Sequence, residues 1–468
     1  MLIEERPKET KLGTRIAYAF GTLADNLALQ NFMFLGFAYY FTVAKLPVWM
    51  IFLAWGIYSV WDAIDDPLIG VISDRTKTRF GRRKIYILVS AVPLCALMIL
   101  LWGPNNFIRG TPWEIVFYLI GMLILFDLFF TTYTVNFNSL WVEMFLTEKD
   151  RRSVGLWRSI FTILGLIIAF LVPSFIIEDF TNQYEYSYTP TQYIMNGGLA
   201  AIIVLVTIVI MFIWGSFERK EFSKDAESAP SVRDSFRITF KNRAFMLYSV
   251  TALAVFIVYN ILPTIIPFYV EQVLLGTSDD SSFIVFVGLL SGMIATPIWM
   301  WLQKKIGIRI SYMISLSFWA VTLGLVAFIP QANGILIGYI LTAVMGIGLG
   351  GSLYLYDQGL AVVIDDDAAR SGLKTRREGA YYGVVAFFNR FSTGINLGII
   401  AIVFQRTGWE TYQPRPGINT QLGIRALIGL WPILVIVIAL ICLYFWPIHG
   451  QRYEENKKII DEMRLEKL

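Results

Sequence analysis

The sequence is poorest in the residues on which most enzymes depend. Among 468 residues there is one His and there are two Cys. Cys95 and Cys442 lie far apart in apolar runs and read as packing residues rather than as a disulfide or a metal pair. The one histidine, His449, follows the last apolar run, which excludes a histidine proton relay inside a membrane. Neither a G-x-S-x-G elbow nor a G-x-x-x-x-G-K-[ST] phosphate loop occurs, so no enzyme site is legible and ATP is excluded as an energy source. Charge is scarce as well. Charged residues are 16% of the chain, too few to cover a soluble protein of this length. The net charge of +4 is therefore no sign of nucleic-acid binding. The amino-terminal MLIEERPKETKLGTR lacks the apolar core and cleavage site of a signal peptide.

What the chain has instead is apolar length. It is 56% hydrophobic with a mean hydropathy of +0.59, and apolar runs of about 18 residues or more recur throughout. They predict an all-α membrane protein with twelve transmembrane helices, at 15–43, 48–73, 85–104, 113–146, 155–177, 194–215, 244–274, 281–303, 310–330, 334–364, 380–405 and 423–446. The polar connections alternate in character. Segments 74–84, 216–243, 366–379 and 447–468 are crowded with Lys and Arg, whereas the opposite side holds Lys45, Arg109, Arg406, Arg415 and Arg425. Cytoplasmic loops attract this excess, so both termini are expected in the cytoplasm. The longest polar insertion falls halfway. It divides the chain into a six-helix bundle at 1–215, a cytoplasmic linker at 216–243, a second six-helix bundle at 244–446 and a tail at 447–468. The basic loop after span two, DRTKTRFGRRK, has a fainter echo after span eight, QKKIGIR, as parallel repeats would leave. Within the linker, SVRDSFRITFKNR reads either as an amphipathic surface helix or as plain linker.

Several charges stand where lipid should have removed them. An acid or arginine at the centre of a span costs about 2.5–3.5 kcal/mol, so it normally faces water or a partner. Asp62, Asp65 and Asp66 in VWDAIDDPLIG are spaced i, i+3 and i+4, along one helical face. Three like charges that close repel unless a cation or a proton intervenes, and grouped hard oxygens are what a small cation accepts in place of water. Pro67 withholds one backbone donor and can free a carbonyl for the same ion. Arg390, well inside span eleven, needs a partner, for which the span-two acids are candidates. Arg158 lies only just inside span five, from which a long side chain can reach the surface. Thr134, Asn138 and Trp141 form one stripe of hydroxyl, amide and indole on span four. Such a stripe suits a sugar, and equally suits helix packing at an interface. Asp25, Asn26, Gln30 and Asn31 form a polar stripe on span one. Asp127 has no evident partner.

These segments together resemble a known family. DAIDDPLIGVISDRTKTRFGRRK, FGTLADNLALQN, SLWVEMFLTEKDRR, GLWRSIF and GLKTRREGAYYG are similar to signatures of the glycoside–pentoside–hexuronide:cation symporters, the melibiose permease-like group of the major facilitator superfamily. The resemblance covers about residues 12 to 400. It implies the major facilitator fold and a cation site at Asp62, Asp65 and Asp66 for Na⁺ or H⁺, with Thr134 assisting. It implies cargo contacts from Trp141 and Arg158, and coupling through Arg390, where the family has Lys. The loop residues Gly70, Asp74, Arg75, Gly81, Arg82 and Arg83 match the superfamily's cytoplasmic gate motif. Two positions depart from the sugar-binding pattern, Asn26 and Phe137 standing where the family has aspartates. Asn26 is compatible with other sugars and stays, with Asp25 and Asn138, a candidate cargo ligand, whereas Phe137 removes a ligand, so an α-galactoside is disfavoured.

The expectation is therefore a monomeric, multi-pass transporter of the plasma membrane, with no cofactor beyond its coupling ion, carrying Na⁺ or H⁺ with a sugar or glycoside by alternating access. Its partners are a small solute and membrane lipids. The same architecture also serves lysophospholipid transport in animals. Phe, Trp and Tyr make up 15% of the chain, which keeps a lysophospholipid or other amphiphile as the alternative cargo. A non-transporting receptor or scaffold is the remaining rival.

Overall fold

The polar breaks in the sequence become helix ends. The computed structural model describes residues 10–76, 78, 81, 83–103, 111–145, 147–181, 189–217, 239–370, 378–414 and 416–465. Within these, the first unit contains α1 (Leu12–Ala38), α2 (Val48–Arg75), α3 (Lys84–Leu100), α4 (Pro112–Met144), α5 (Glu148–Leu171) and α6 (Thr189–Ile210). The second contains α7 (Arg243–Phe268), α8 (Ser278–Ile306), α9 (Ile308–Ala327), α10 (Gly334–Arg370), α11 (Glu378–Arg406), α12 (Ile418–Tyr444) and α13 (Gln451–Leu465). Ten of the described helices are long and apolar enough to cross a membrane, and Lys84–Leu100 is a shorter apolar helix.

Local chemistry fixes the boundaries. Thr111, Pro112 and Glu114 open α4 with a capping box, and Thr277 with Asp280 does the same for α8. Each satisfies amide groups that a helix start leaves without partners. Gly307, at φ 82°, closes α8 and opens α9.

The chain divides into two compact units, Met1–Ala229 and Pro230–Leu468. The division falls inside the polar linker 216–243, of which 218–238, including most of the candidate amphipathic segment, lie outside the described residues.

Each unit packs its helices in the same pattern. In the first, α1 packs on α5 and α6, α2 on α4, and α3 on α4 and α6; in the second, α7 packs on α11 and α12, α8 on α10, and α9 on α10 and α12. Every pair recurs with its index raised by six. The repeat extends to detail. α1 ends in a π-helical turn at Tyr39–Val43 and α7 in one at Tyr269–Val273, and each is followed by a non-glycine residue at positive φ, Lys45 at 54° and Leu275 at 59°. In both turns the tyrosine hydroxyl donates to a carbonyl at the end of the third helix of its unit, Tyr39 to Trp102 and Tyr269 to Val326. The faint sequence echo thus marks a structural duplication.

Close helix crossings use small residues. Gly288 and Gly292 of α8 meet Gly346 and Gly350 of α10 so closely that a Cβ on Gly346 or Gly350 would fall on the opposing backbone. Spacings of four between small residues let membrane helices approach to this distance. Gly350→Leu is expected to destabilise the second unit by at least about 1–3 kcal/mol, because backbone cannot yield as a side chain can. Thermal melting followed by size-exclusion would show the loss; an unchanged melting temperature would contradict the crossing.

The segment 447–468 is expected to be a tail, but residues 451–465 form α13. Asp366, 2% exposed at the end of α10, accepts from Arg452 Nε at 2.8 Å and Nη2 at 2.7 Å, from Asn456 Nδ2 at 2.6 Å, and from Arg370 Nε at 3.1 Å. A bidentate guanidinium on a buried carboxylate fixes both position and orientation.

Candidate functional site

α2 runs unbroken past Pro67, which has no N–H to offer the Ala63 carbonyl one turn back. On this helix Asp62 is 3% and Asp65 0% exposed, while Asp66 is half-buried. α4 packs against α2 and contributes Asp127, also 0% exposed. One carboxylate oxygen from each of Asp62, Asp65 and Asp127 lies within 4.8 Å of the other two. Oxygen ligands stand about 2.3–2.6 Å from a calcium-sized cation, so a pair facing each other across it is about 5 Å apart. The spacing is that of oxygens able to share one ion.

The grouping differs from the sequence expectation in two ways. Asp66 lies outside the trio, and the Thr134 hydroxyl turns to its own helix, donating to the Thr131 carbonyl at 3.4 Å. Asp127, for which the sequence offers no partner, belongs to the trio because α2 and α4 are neighbours. The hydroxyl on the acidic face of α4 is that of Thr131, one turn beyond Asp127. Ser59 stands one turn before Asp62 on α2. Thr131 is 1% and Ser59 3% exposed, and neither hydroxyl oxygen has a hydrogen-bond partner among the described residues. Buried hydroxyls left so are costly, and coordination of a cation would use their lone pairs. This donor set of hard oxygens fits Na⁺ chemistry.

A second cluster surrounds Arg158. α5 begins at Glu148 with the charged turn EKDRR, and Arg158 lies nearly three turns from the helix start. Its Nε donates to Thr22 Oγ1 at 3.1 Å and its Nη2 to Asn138 Oδ1 at 2.7 Å. The guanidinium stacks over Trp141 at 4.6 Å and Phe137 at 5.3 Å from the ring centroids. Trp141 Nε1 has no hydrogen-bond partner among the described residues.

Phe137 is wholly buried, with Tyr18 and Tyr133 stacked on it at 4.7 and 5.6 Å. Tyr133 donates to the Gly21 carbonyl at 2.8 Å, and a Cβ on Gly21 would fall on the Phe137 ring. Asp25 stands on α1, about one turn beyond Thr22. Asn26, by contrast, spends its amide on the Thr22 carbonyl of its own helix, at 2.9 Å. A guanidinium has five N–H donors, of which two are committed here. Among the described residues no hydrogen bond engages the other three, which suit an anionic or hydroxylated guest.

Gly70 is in the last turns of α2 and Gly81 has φ 103°. Arg83, 8% exposed, caps α3. Arg82 and the side chains of Asp74 and Arg75 lie outside the described residues. Beyond that motif, Arg15 pairs with Asp150, which also accepts from the Thr10 amide at 3.2 Å. Arg390 is half-buried on α11 of the second unit. Its neighbour Asn389 donates to Tyr356 Oη at 3.0 Å.

The chain is similar to known transporters along nearly its whole length. It is 20% identical to the sodium-dependent lysophosphatidylcholine symporter 1-A of Danio rerio, over 97% of this chain and 89% of that protein. It is 23% identical to the sphingosine-1-phosphate transporter MFSD2B of Xenopus tropicalis, over 98% and 93%. Among solved structures, a D-xylose–proton symporter superposes with a TM-score of 0.66 at 12% identity, covering 94% of this chain and 98% of that one. The family model described as MFS/sugar transport protein matches residues 17–450. The chain therefore belongs to that family of the major facilitator superfamily, and it is a multi-pass membrane transporter rather than an enzyme.

Proposed function

We propose that this transporter couples Na⁺ to the uptake of a single-chain, phosphate-bearing amphiphile. The observation that carries the coupling is the buried trio of Asp62, Asp65 and Asp127 drawn from two helices. Sodium bound there, with Ser59 and Thr131 as further ligands, would relieve the repulsion among the acids and favour the conformation that binds cargo. Asp66 and Thr134 flank the site, and Arg390 is assigned to coupling. One charge moving through 100 mV supplies about 2.3 kcal/mol.

The cargo assignment rests on Arg158. Its planar guanidinium is suited to phosphate, and the two relatives named above are described as carrying lysophosphatidylcholine and sphingosine-1-phosphate. Both molecules join a phosphate to a long chain. Asn138, Trp141 and Asp25 would line the same cargo site, with Asn26 beside them. The sugar expected from the family resemblance is not supported by these relatives, and the buried aromatic stack around Phe137 leaves no carboxylate where that family has one. Twelve spans, cytoplasmic termini, a plasma-membrane location, a monomeric state and a gate built on Gly70, Asp74, Arg75, Gly81, Arg82 and Arg83 complete the reading.

Purified protein in liposomes, given an inward Na⁺ gradient, is expected to accumulate labelled lysophosphatidylcholine, and to fail when K⁺ replaces Na⁺. Equal uptake under K⁺, or Na⁺-driven accumulation of sugars instead, would overturn the reading.

A further inference from the structure

α1 and α5 pack against each other and are joined by polar contacts at two levels. At the first, Asp150 of α5 sends its side chain out of its own helix. It pairs with Arg15 of α1 and accepts from the Thr10 amide at 3.2 Å. Arg15 Nε donates in turn to Thr10 Oγ1 at 3.1 Å. Asp150 is 0% and Arg15 7% exposed, and neither belongs to the cation trio or to the cluster around Arg158. At the second level Arg158 of α5 bonds Thr22 of α1.

The spacing connects the two levels. Arg15 and Thr22 are seven residues apart on α1, and Asp150 and Arg158 are eight apart on α5. At 3.6 residues per turn each interval is about two turns, so both contacts lie on one face of each helix. Residue numbers rise together along the two helices, which therefore run in parallel. The register that begins where Asp150 meets Thr10 continues beyond Arg158. At Gly165 a Cβ would stand 3.1 Å from the Leu23 carbonyl oxygen and 3.2 Å from Asn26 Cβ.

A buried ion pair adds little net stability over apolar packing, and its best-attested use is to fix register. Register matters at Arg158. Each residue adds about 1.5 Å to a helix, and a slip of that size would carry the 3.1 Å bond to Thr22 beyond hydrogen-bonding distance.

We propose that Asp150, paired with Arg15, is a positioning residue for cargo binding. It fixes α5 on α1 so that Arg158 keeps its bond to Thr22 and its stack on Trp141. The inference rests on the Arg158 cargo reading above and adds to it a residue that does not itself touch cargo.

The test is a double-mutant cycle on the full chain in nanodiscs, read as equilibrium binding of labelled lysophosphatidylcholine. Asp150→Asn is expected to weaken binding about tenfold, the value of one hydrogen bond to a charged group. In an Arg158→Ala background the same substitution should change binding by less than about twofold, because the group it positions is gone. Arg15→Gln breaks the pair from the other side, leaves Asp150 its bond from Thr10, and should repeat the pattern; it carries the test if Asp150→Asn does not fold. An unchanged Na⁺ titration shows that the α2–α4 site, and with it the fold of the unit, is intact. An equal loss in both backgrounds overturns the inference, since Asp150 would then support the fold without acting through Arg158. No loss in the wild-type background overturns it as well. Both results leave the cargo reading standing, whereas Arg158→Ala with wild-type affinity removes that reading and this inference together.

Discussion

Asp65→Asn and Asp127→Asn are each expected to abolish Na⁺-driven accumulation while leaving the protein folded in the membrane. The substitution keeps an oxygen and the side-chain volume and removes one charge. At about 4 Å and an effective dielectric of 20, a unit charge contributes about 4 kcal/mol to binding a cation, near a thousandfold in affinity. Water reaching the site would reduce this, so a hundredfold rise in the Na⁺ needed for half-maximal uptake is about the smallest effect that fits. Asp66→Asn serves as the comparison, since Asp66 is half-buried and outside the trio. Its effect should stay below about tenfold. If Asp66→Asn alone stopped transport and Asp127→Asn did not, the ion would be held by the α2 acids without α4.

Arg158→Ala should weaken cargo binding by about ten- to a hundredfold, the value of one or two hydrogen bonds to a charged group. Arg158→Lys should recover little of it. An ammonium cannot bond Thr22 and Asn138 at once, lie flat on Trp141 and still present donors to a phosphate. Na⁺ binding should remain, because the Asp62, Asp65 and Asp127 cluster and the Arg158 cluster use different side chains. Equilibrium binding of labelled lysophosphatidylcholine, with the Na⁺ titration as control, separates these effects. Full recovery by lysine would show that only charge matters there and would remove the stacked geometry from the account.

Much of the fold is legible in the sequence because lipid imposes a simple rule. Long apolar runs become helices, and ends predicted at 48, 113, 244 and 334 fall within a residue of those of α2, α4, α7 and α10. Helix starts set by polar sequence are less legible. α5 begins at Glu148, seven residues before the apolar run, because the charged turn EKDRR continues the helix.

The site is legible along one helix and not across two. The i, i+3, i+4 spacing reveals Asp62, Asp65 and Asp66 as a face, but cannot choose which two of them point toward α4. Asp127 is a single acid between Phe126 and Leu128. Its meaning appears only once α2 and α4 pack together. The same holds for Ser59 and Thr131, ordinary helix residues until their hydroxyls prove to be buried without a hydrogen-bond partner among the described residues.

The most direct test of the coupling claim is the affinity of the purified chain for lysophosphatidylcholine, measured with and without Na⁺ in the wild type and in Asp127→Asn. Linkage requires that an ion which drives cargo binding also be bound more tightly when cargo is present. Na⁺ is expected to tighten lysophosphatidylcholine binding in the wild type, lysophosphatidylcholine to tighten Na⁺ binding by the same factor, and both effects to vanish in Asp127→Asn. Cargo affinity indifferent to Na⁺, or a Na⁺ effect of full size in the variant, would contradict it.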